Sequence, residues 1–191
     1  MKDIEFMKEY LEKNLVQGRF LHTLGVAETA IKLAKLYNVD EKKAEIAALA
    51  HDMAKNMKSE NLKELIDKNN IQLSIDEENT KELWHAIAGP ILAKEVFEID
   101  DNEILSAMRW HTTGKENMTS LEKIIYLADL IEPSRKFEGV DRLREISEKD
   151  LNLAVLEGLT HTTEYLLKKN QPIDINSMKA RNYLLYTKQN I

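Results

Sequence analysis

Apolar positions along most of this chain recur every three or four residues, the spacing of one helix face, and period-two runs are nearly absent. The stretch "FLHTLGVAETAIKLAKLY" shows the pattern, with Leu24, Ala27, Ile31 and Ala34 in one stripe. An earlier helix is expected over about 3–14. Asp40 has the character of an N-cap for "EKKAEIAALAHDMA", and Ser59 that of a cap for a short helix in "SENLKELIDKN". The polar stretch "NNIQLSIDEEN" reads as a connection. Beyond it a helix is expected over about 80–98, kinked by Pro90, which removes the bond to Ala86. "DNEILSAMRWHTTG" should form another, with Gly114 placed for its C-terminal stop. Thr119 and Glu122 stand at capping-box spacing before "IIYLADLI", and Pro133 closes that helix. Ser147 and Asp150 suggest a capped start for "LNLAVLEGLTHTTEYLLKK", and a last helix is expected over about 177–189. With no Asn-Gly or Asp-Gly hairpin signal, the pattern predicts an all-α fold of around nine or ten helices in one bundle.

Composition narrows the classes of function. A length of 191 residues suits a single domain, 1–191, with a sizeable core. The 33 acidic against 27 basic residues, a net charge of -6, disfavour non-specific binding to nucleic acid or an anionic membrane. The absence of cysteine removes disulfides and thiolate metal ligands. The start, "MKDIEFMKEYLEKNL", is charged throughout, unlike a signal peptide, and no apolar run approaches the roughly 20 residues that cross a bilayer. A cytoplasmic location is expected.

Against this helical background a few ionisable residues stand out. Of the five histidines, His161 has the character of an ordinary helix residue, off the stripe of Leu151, Val155, Leu159 and Leu166. The other four lie near predicted helix ends among apolar neighbours: His22 in "RFLHTLGV", His51 beside Asp52 in "LAHDMAKN", His85 in "LWHAIAGP" and His111 in "RWHTTG". Asp129 is a lone carboxylate inside "IIYLADLI". Ionised groups in such runs are costly without partners. Drawn from five helices, these six groups can meet inside a bundle, which is how helical proteins build metal sites. Four imidazoles and two carboxylates suit Fe, Mn, Zn, Co or Ni rather than Ca or Mg. They are too many for one catalytic metal with an open position, whereas two metals bridged by Asp52 would use them all. Spacing alone leaves a plainer alternative open: helix-end histidines satisfied by backbone carbonyls, with Asp129 paired to a lysine or arginine.

The ordered set His22, His51-Asp52, His85, His111, Asp129 resembles the HD-domain phosphohydrolase superfamily, in its six-ligand, two-metal branch. "HDMAK", "WHAIAGP", "RWHTTG" and "YLADLIEPSR" are similar to the YqeK family within it, described as bacterial symmetrical diadenosine tetraphosphate hydrolases. The HD dipeptide by itself says little; the ordered six with "HTTG" and "ADLIEPSR" is far more specific. The likeness covers about 18–140, with the C-terminal helices of about 147–191 expected to pack on that core. It implies His22, His51, Asp52 and Asp129 at one metal, with Asp52 bridging to a second held by His85 and His111. The superfamily precedent for the pair is iron.

The implied reaction is hydrolysis of a dinucleoside tetraphosphate, diadenosine tetraphosphate and water giving two ADP, through a hydroxide that the two metals activate. The expected partners are thus a small nucleotide substrate and a nucleoside diphosphate product, with no nucleic acid or membrane; a homodimer is possible. Asp52 and Lys55 are the candidate catalytic residues, Lys55 lying one turn beyond His51. Arg19, three residues before His22, and Arg135, after the Pro133 stop, are candidate phosphate clamps. Thr112, Thr113 and Gly114 offer donors beside His111, and Arg181, with Asn182, is a weaker candidate for the nucleotide pocket. The same metal chemistry would serve a nucleotidase or phosphodiesterase on a smaller nucleotide. A dinuclear-iron oxygenase and a non-catalytic nucleotide sensor are the alternatives from other classes.

Overall fold

The computed structural model describes residues 1–188. Among them are eleven α-helices, one 3-10 turn and no strand. Helix α1 spans Ile4–Asn14, α2 Gln17–Leu36 and α3 Glu41–Ala50, the last capped by Asp40, whose carboxylate accepts from Lys43 N–H. Helices α4, Ser59–Lys68, and α5, Ile75–Asn79, lead to a 3-10 turn at Lys81–Leu83 and then to α6, Trp84–Phe97. Helix α7 is Asn102–Trp110 and α8 is Ser120–Ile131, headed by the capping box of Thr119 and Glu122. Helices α9, Val140–Ser147, α10, Leu151–Lys168, and α11, Ile175–Lys188, complete the set.

Two of these helices depart from the sequence expectation. The stretch read as a polar connection contains α5, because Ser74 and Glu77 form their own capping box there. The segment after Pro133 contains α9, a short amphipathic helix burying Val140 and Leu143. Ser147, expected to open α10, instead ends α9 and donates to Arg144 O; Asp150 alone caps α10. Ser59 is the first residue of α4 rather than its cap, and the cap position falls on Lys58, which makes no side-chain cap bond. Helix α6 runs through Pro90, which simply has no N–H to offer Ala86. The final helix begins at Ile175, and its expected end at 189 lies outside the described residues.

Packing puts α2, α3, α7 and α8 at the centre, each against its neighbours in that group, with α6 on α7 and α10 on α8. The main core joins residues of α1, α2, α3, α7, α8 and α10, Met7, Val26, Leu49, Met108, Ile124 and Val155 among them. A smaller cluster of Ala54, Leu62, Ile66, Trp84, Ile87 and Ala88 seats α4 under the start of α6. Trp84 Nε1 also donates to Glu77 O at 2.8 Å, so α5 fixes the residue just before His85. Helix α9 secures the end of α8: the Arg144 guanidinium donates to Ile131 O, Glu132 O and Arg135 O. Three carbonyls at and beyond a helix end are thereby satisfied.

Candidate metal centre

Helix ends build this site. Helix α3 stops at Ala50, four residues sooner than its apolar run suggests, and His51 and Asp52 occupy the turn that follows. Helix α7 stops at Trp110, just before His111. Stopping there frees carbonyls of the last turn, and the imidazoles take them. His51 Nδ1 lies 2.6 Å from Ala48 O, His111 Nδ1 2.7 Å from Met108 O, and His85 Nδ1 2.7 Å from Glu82 O in the 3-10 turn. A carbonyl oxygen only accepts, so each Nδ1 carries the proton and each Nε2 keeps a free lone pair. His22, on α2, has Nδ1 3.0 Å from Glu132 Oε1, with the same consequence.

All four Nε2 atoms point toward Asp52 and Asp129. Asp52 Oδ2 lies 3.4 Å from His51 Nε2 and 3.9 Å from His22 Nε2, and it accepts from Arg19 Nη1 at 2.8 Å. Its other oxygen, Oδ1, is 3.2 Å from His85 Nε2 and 3.7 Å from His111 Nε2. Asp129 Oδ1, on α8, lies 3.0 Å from His22 Nε2 and 3.9 Å from His51 Nε2, and Arg135 Nη2 donates to it at 2.6 Å. Ligand atoms of His22, His51 and Asp129 fall within 4.8 Å of one another, as do those of His51, Asp52 and His111. His51 stands where the two groups meet.

This arrangement fits divalent metal. His22 Nε2, His51 Nε2 and Asp52 Oδ1 are buried without a hydrogen-bond partner. His85 Nε2 and His111 Nε2 approach to 3.2 Å although neither carries a proton. Lone pairs that face one another in a dry interior are unfavourable unless a cation lies among them. The plainer reading of the sequence is true of half of each group: backbone carbonyls satisfy three Nδ1 atoms, and Asp129 is paired with Arg135. It leaves His22 Nε2, His51 Nε2 and Asp52 Oδ1 unused. Nitrogen and carboxylate donors together suit a borderline transition metal.

The charges conform. Burial pushes the Asp52 carboxyl up, but where no cation takes the inward lone pairs, hydrogen bonds and charge from His51, His111 and His85 outweigh it and hold it well below the usual carboxylate range. Burial works the same way on Asp129, and His22, His51 and His111 overcome it despite Asp52. His85 is pushed down to about 4, chiefly by burial, so its imidazole is neutral at pH 7. Burial also lowers Lys55, whose Nζ lies 3.3 Å from His85 Nε2.

A cavity of about 530 Å³ opens beside His22, lined in part by Arg19, Asn56, Glu132, Arg135, Lys136 and Phe137. Two of the cations expected from the sequence, Arg19 and Arg135, therefore sit at its wall. Thr112 Oγ1 lies 3.1 Å from His111 Nε2, within reach of the centre. Thr113 is turned inward to Gly114 O, and Gly114, at φ +66°, makes the turn in which its N–H donates to Trp110 O. Arg181 Nε donates to Thr160 Oγ1 on α10. His161 stacks on Phe137, with ring centroids 4.4 Å apart. Glu132, not singled out in the sequence, is the residue that orients His22. It is buried, accepts from Ser134 N–H at 2.6 Å, and packs so close to Gly25 that a Cβ there would lie 2.8 Å from Oε2. Its signal was available: an acidic residue three after Asp129, on the same helical face.

The family model described as HD domain matches residues 19–134. A symmetrical bis(5'-nucleosyl)-tetraphosphatase of Bacillus subtilis is 42% identical over 92% of this chain and 94% of its own length. One of the same name from Halalkalibacterium halodurans is 45% identical over 93% and 94%. A crystal structure from Clostridium acetobutylicum, described as a predicted HD superfamily hydrolase involved in NAD metabolism, matches with a TM-score of 0.95. It is 43% identical and covers 98% of this chain and 99% of that one.

Proposed function

The chain belongs to the HD-domain family, and from that premise we propose that it hydrolyses dinucleoside tetraphosphates symmetrically, diadenosine tetraphosphate and water giving two ADP. The observation that carries the reading is Asp52, whose two carboxylate oxygens face two different sets of imidazoles, Oδ2 toward His22 and His51 and Oδ1 toward His85 and His111. That is the disposition of a bridging ligand. His22, His51, Asp129 and Asp52 would hold one ion, and His85, His111 and Asp52 the other. Bound there, the pair would lower the pKa of a water and neutralise charge on the phosphates, the chemistry of two-metal hydrolases. We take iron as the native pair on the superfamily precedent; Mn, Zn, Co and Ni share the donor preferences.

The protein's own groups supply binding and orientation. Arg19 and Arg135 stand at the cavity wall, each already reaching a carboxylate of the centre. Their guanidinium forks match phosphate oxygens. Lys55 offers a point charge beside His85, and burial strengthens what it does for a polyphosphate there. Thr112 adds a hydroxyl donor. Thr113 and Gly114 shape the turn that carries it, and Arg181 stays a distant candidate. Attack at an inner phosphorus breaks the central P–O–P bridge; the water oxygen ends on one diphosphate and the bridge oxygen on the other. We further read residues 1–191 as one domain in the cytoplasm, with neither nucleic acid nor membrane as partner and a homodimer possible. The net charge of -6 supports the first exclusion. Among the described residues, no helix is long and apolar enough to cross a membrane.

The test is product analysis. Protein loaded with Fe, Mn, Zn or Co is given diadenosine tetraphosphate, and ADP, ATP and AMP are resolved. ADP alone is expected; ATP with AMP would mean asymmetric attack and overturn the reading. Asp52→Ala should abolish turnover and lower metal content.

A further inference from the structure

One wall of the cavity beside His22 is aromatic, and nothing in phosphate chemistry calls for it. Phe137 lies between α8 and α9, directly after Arg135 and Lys136, and all three line the cavity with Arg19. The ring is held by a second one. His161 of α10 stacks against it with planes 26° apart, and stands outside the cavity lining. The backbone is fixed as well: Phe137 O accepts from Val140 N–H at 3.2 Å, across a turn in which Gly139 takes φ +92°. Half-buried and packed on the main core, Phe137 is a rigid plate rather than a swinging side chain.

Three cations and a stacked aromatic ring in one cavity describe a ligand with anionic and planar parts. We propose that Phe137 is the stacking platform for one nucleobase of the substrate, with Arg135 and Lys136 on the phosphates of that same half. The inference rests on the tetraphosphatase reading and deepens it, because it makes the two chemically equal halves unequal in the site. About 530 Å³ lies within the 300–1,000 Å³ typical of small-ligand pockets and suits one nucleoside diphosphate half. An aromatic plate accepts any base through its π-face, so it supplies affinity with little base preference. The product ADP carries the same two parts and therefore occupies the same place, competing with substrate.

The experiment compares ligands with and without a base. Binding of ADP and of inorganic tripolyphosphate to the metal-loaded protein is measured for wild type, Phe137→Ala, Phe137→Leu and Phe137→Tyr. Leucine preserves the apolar packing without a π-face, so it guards against a folding failure in the alanine variant. ADP affinity should fall about 5- to 150-fold in the Ala and Leu variants, the range for one stacked base. Tripolyphosphate affinity should stay level, and Tyr should retain ADP binding. Equal weakening of both ligands would mean that the substitution displaces Arg135 and Lys136, and it would overturn the platform. So would unchanged ADP binding. If wild type yields no ADP from diadenosine tetraphosphate, the proposed reaction fails, while the ADP and tripolyphosphate comparison still decides the platform.

Discussion

At the scale of single residues, the centre depends on imidazole orientation, and Glu132 is the orienting group with the least redundancy. Three of the four histidines lean on backbone carbonyls, which no substitution removes. His22 leans on a side chain. Burial works against the Glu132 carboxylate, but the Ser134 hydroxyl and His22 outweigh it and keep it ionised as an acceptor. Glu132→Ala should weaken metal binding about 10- to 100-fold, the usual cost of losing a partner that orients a ligating histidine. Competition with a calibrated chelator measures it. Gly25→Ala should act through the same carboxylate, since a Cβ would press on Oε2. In a double-mutant cycle the glycine change should add little once Glu132 is alanine; additive losses would show that Gly25 acts by another route. The six candidate ligands were legible in the sequence because each is an ionisable group set in an apolar run. Glu132 carried only its spacing from Asp129, a weaker signal that the helix stop at Pro133 overshadows.

At the scale of elements, periodicity located nine helices, and the residues around them explain the two it missed. Helix α5 has five residues and α9 eight, too short for a stripe to declare itself. Each is held by specific side chains: α5 by Glu77, which closes its capping box, pairs with Arg109 and offers its carbonyl to Trp84. The positions of the histidines relative to the helix ends were foreseen, but the early stop of α3 was not, because an alanine-rich run carries no intrinsic end. Glu77→Ala should destabilise the protein by about 2–3 kcal/mol, less than a fully buried pair because Arg109 keeps contact with water. Chemical denaturation at pH 7 checks this. A pH signature follows. Burial raises the Glu77 carboxyl, but the Ser74 amide and Arg109 bring it below its ordinary value of 4.5. The unfolded chain therefore takes up the proton first as pH falls. Stability from Glu77 is complete above about 4.5 and is lost as pH drops through the lowered value. Glu77→Gln should remove that part of the acid limb.

At the scale of the whole molecule, the centre joins segments that the chain keeps far apart. His22 comes from α2, His51 and Asp52 from the turn after α3, His85 from α6, His111 from the end of α7 and Asp129 from α8. Metal bound among them ties five elements at the point where their buried lone pairs oppose one another, so occupancy should register as global stability. An ion present at 100 times its dissociation constant contributes about 2.7 kcal/mol. For a chain of this size each kcal/mol is about 2–4 °C in Tm, so stripping one ion should lower Tm by about 5–10 °C, and two by about twice that. Thermal melts with and without chelator measure it. Asp52→Ala should melt at nearly the same temperature with and without chelator, because the bridge between both groups is gone. His161→Ala, which touches Phe137 rather than the centre, should keep the full chelator shift. If wild type shows no shift after careful metal loading, the lone pairs facing Asp52 are reconciled by the fold alone, and the two-metal reading falls with them.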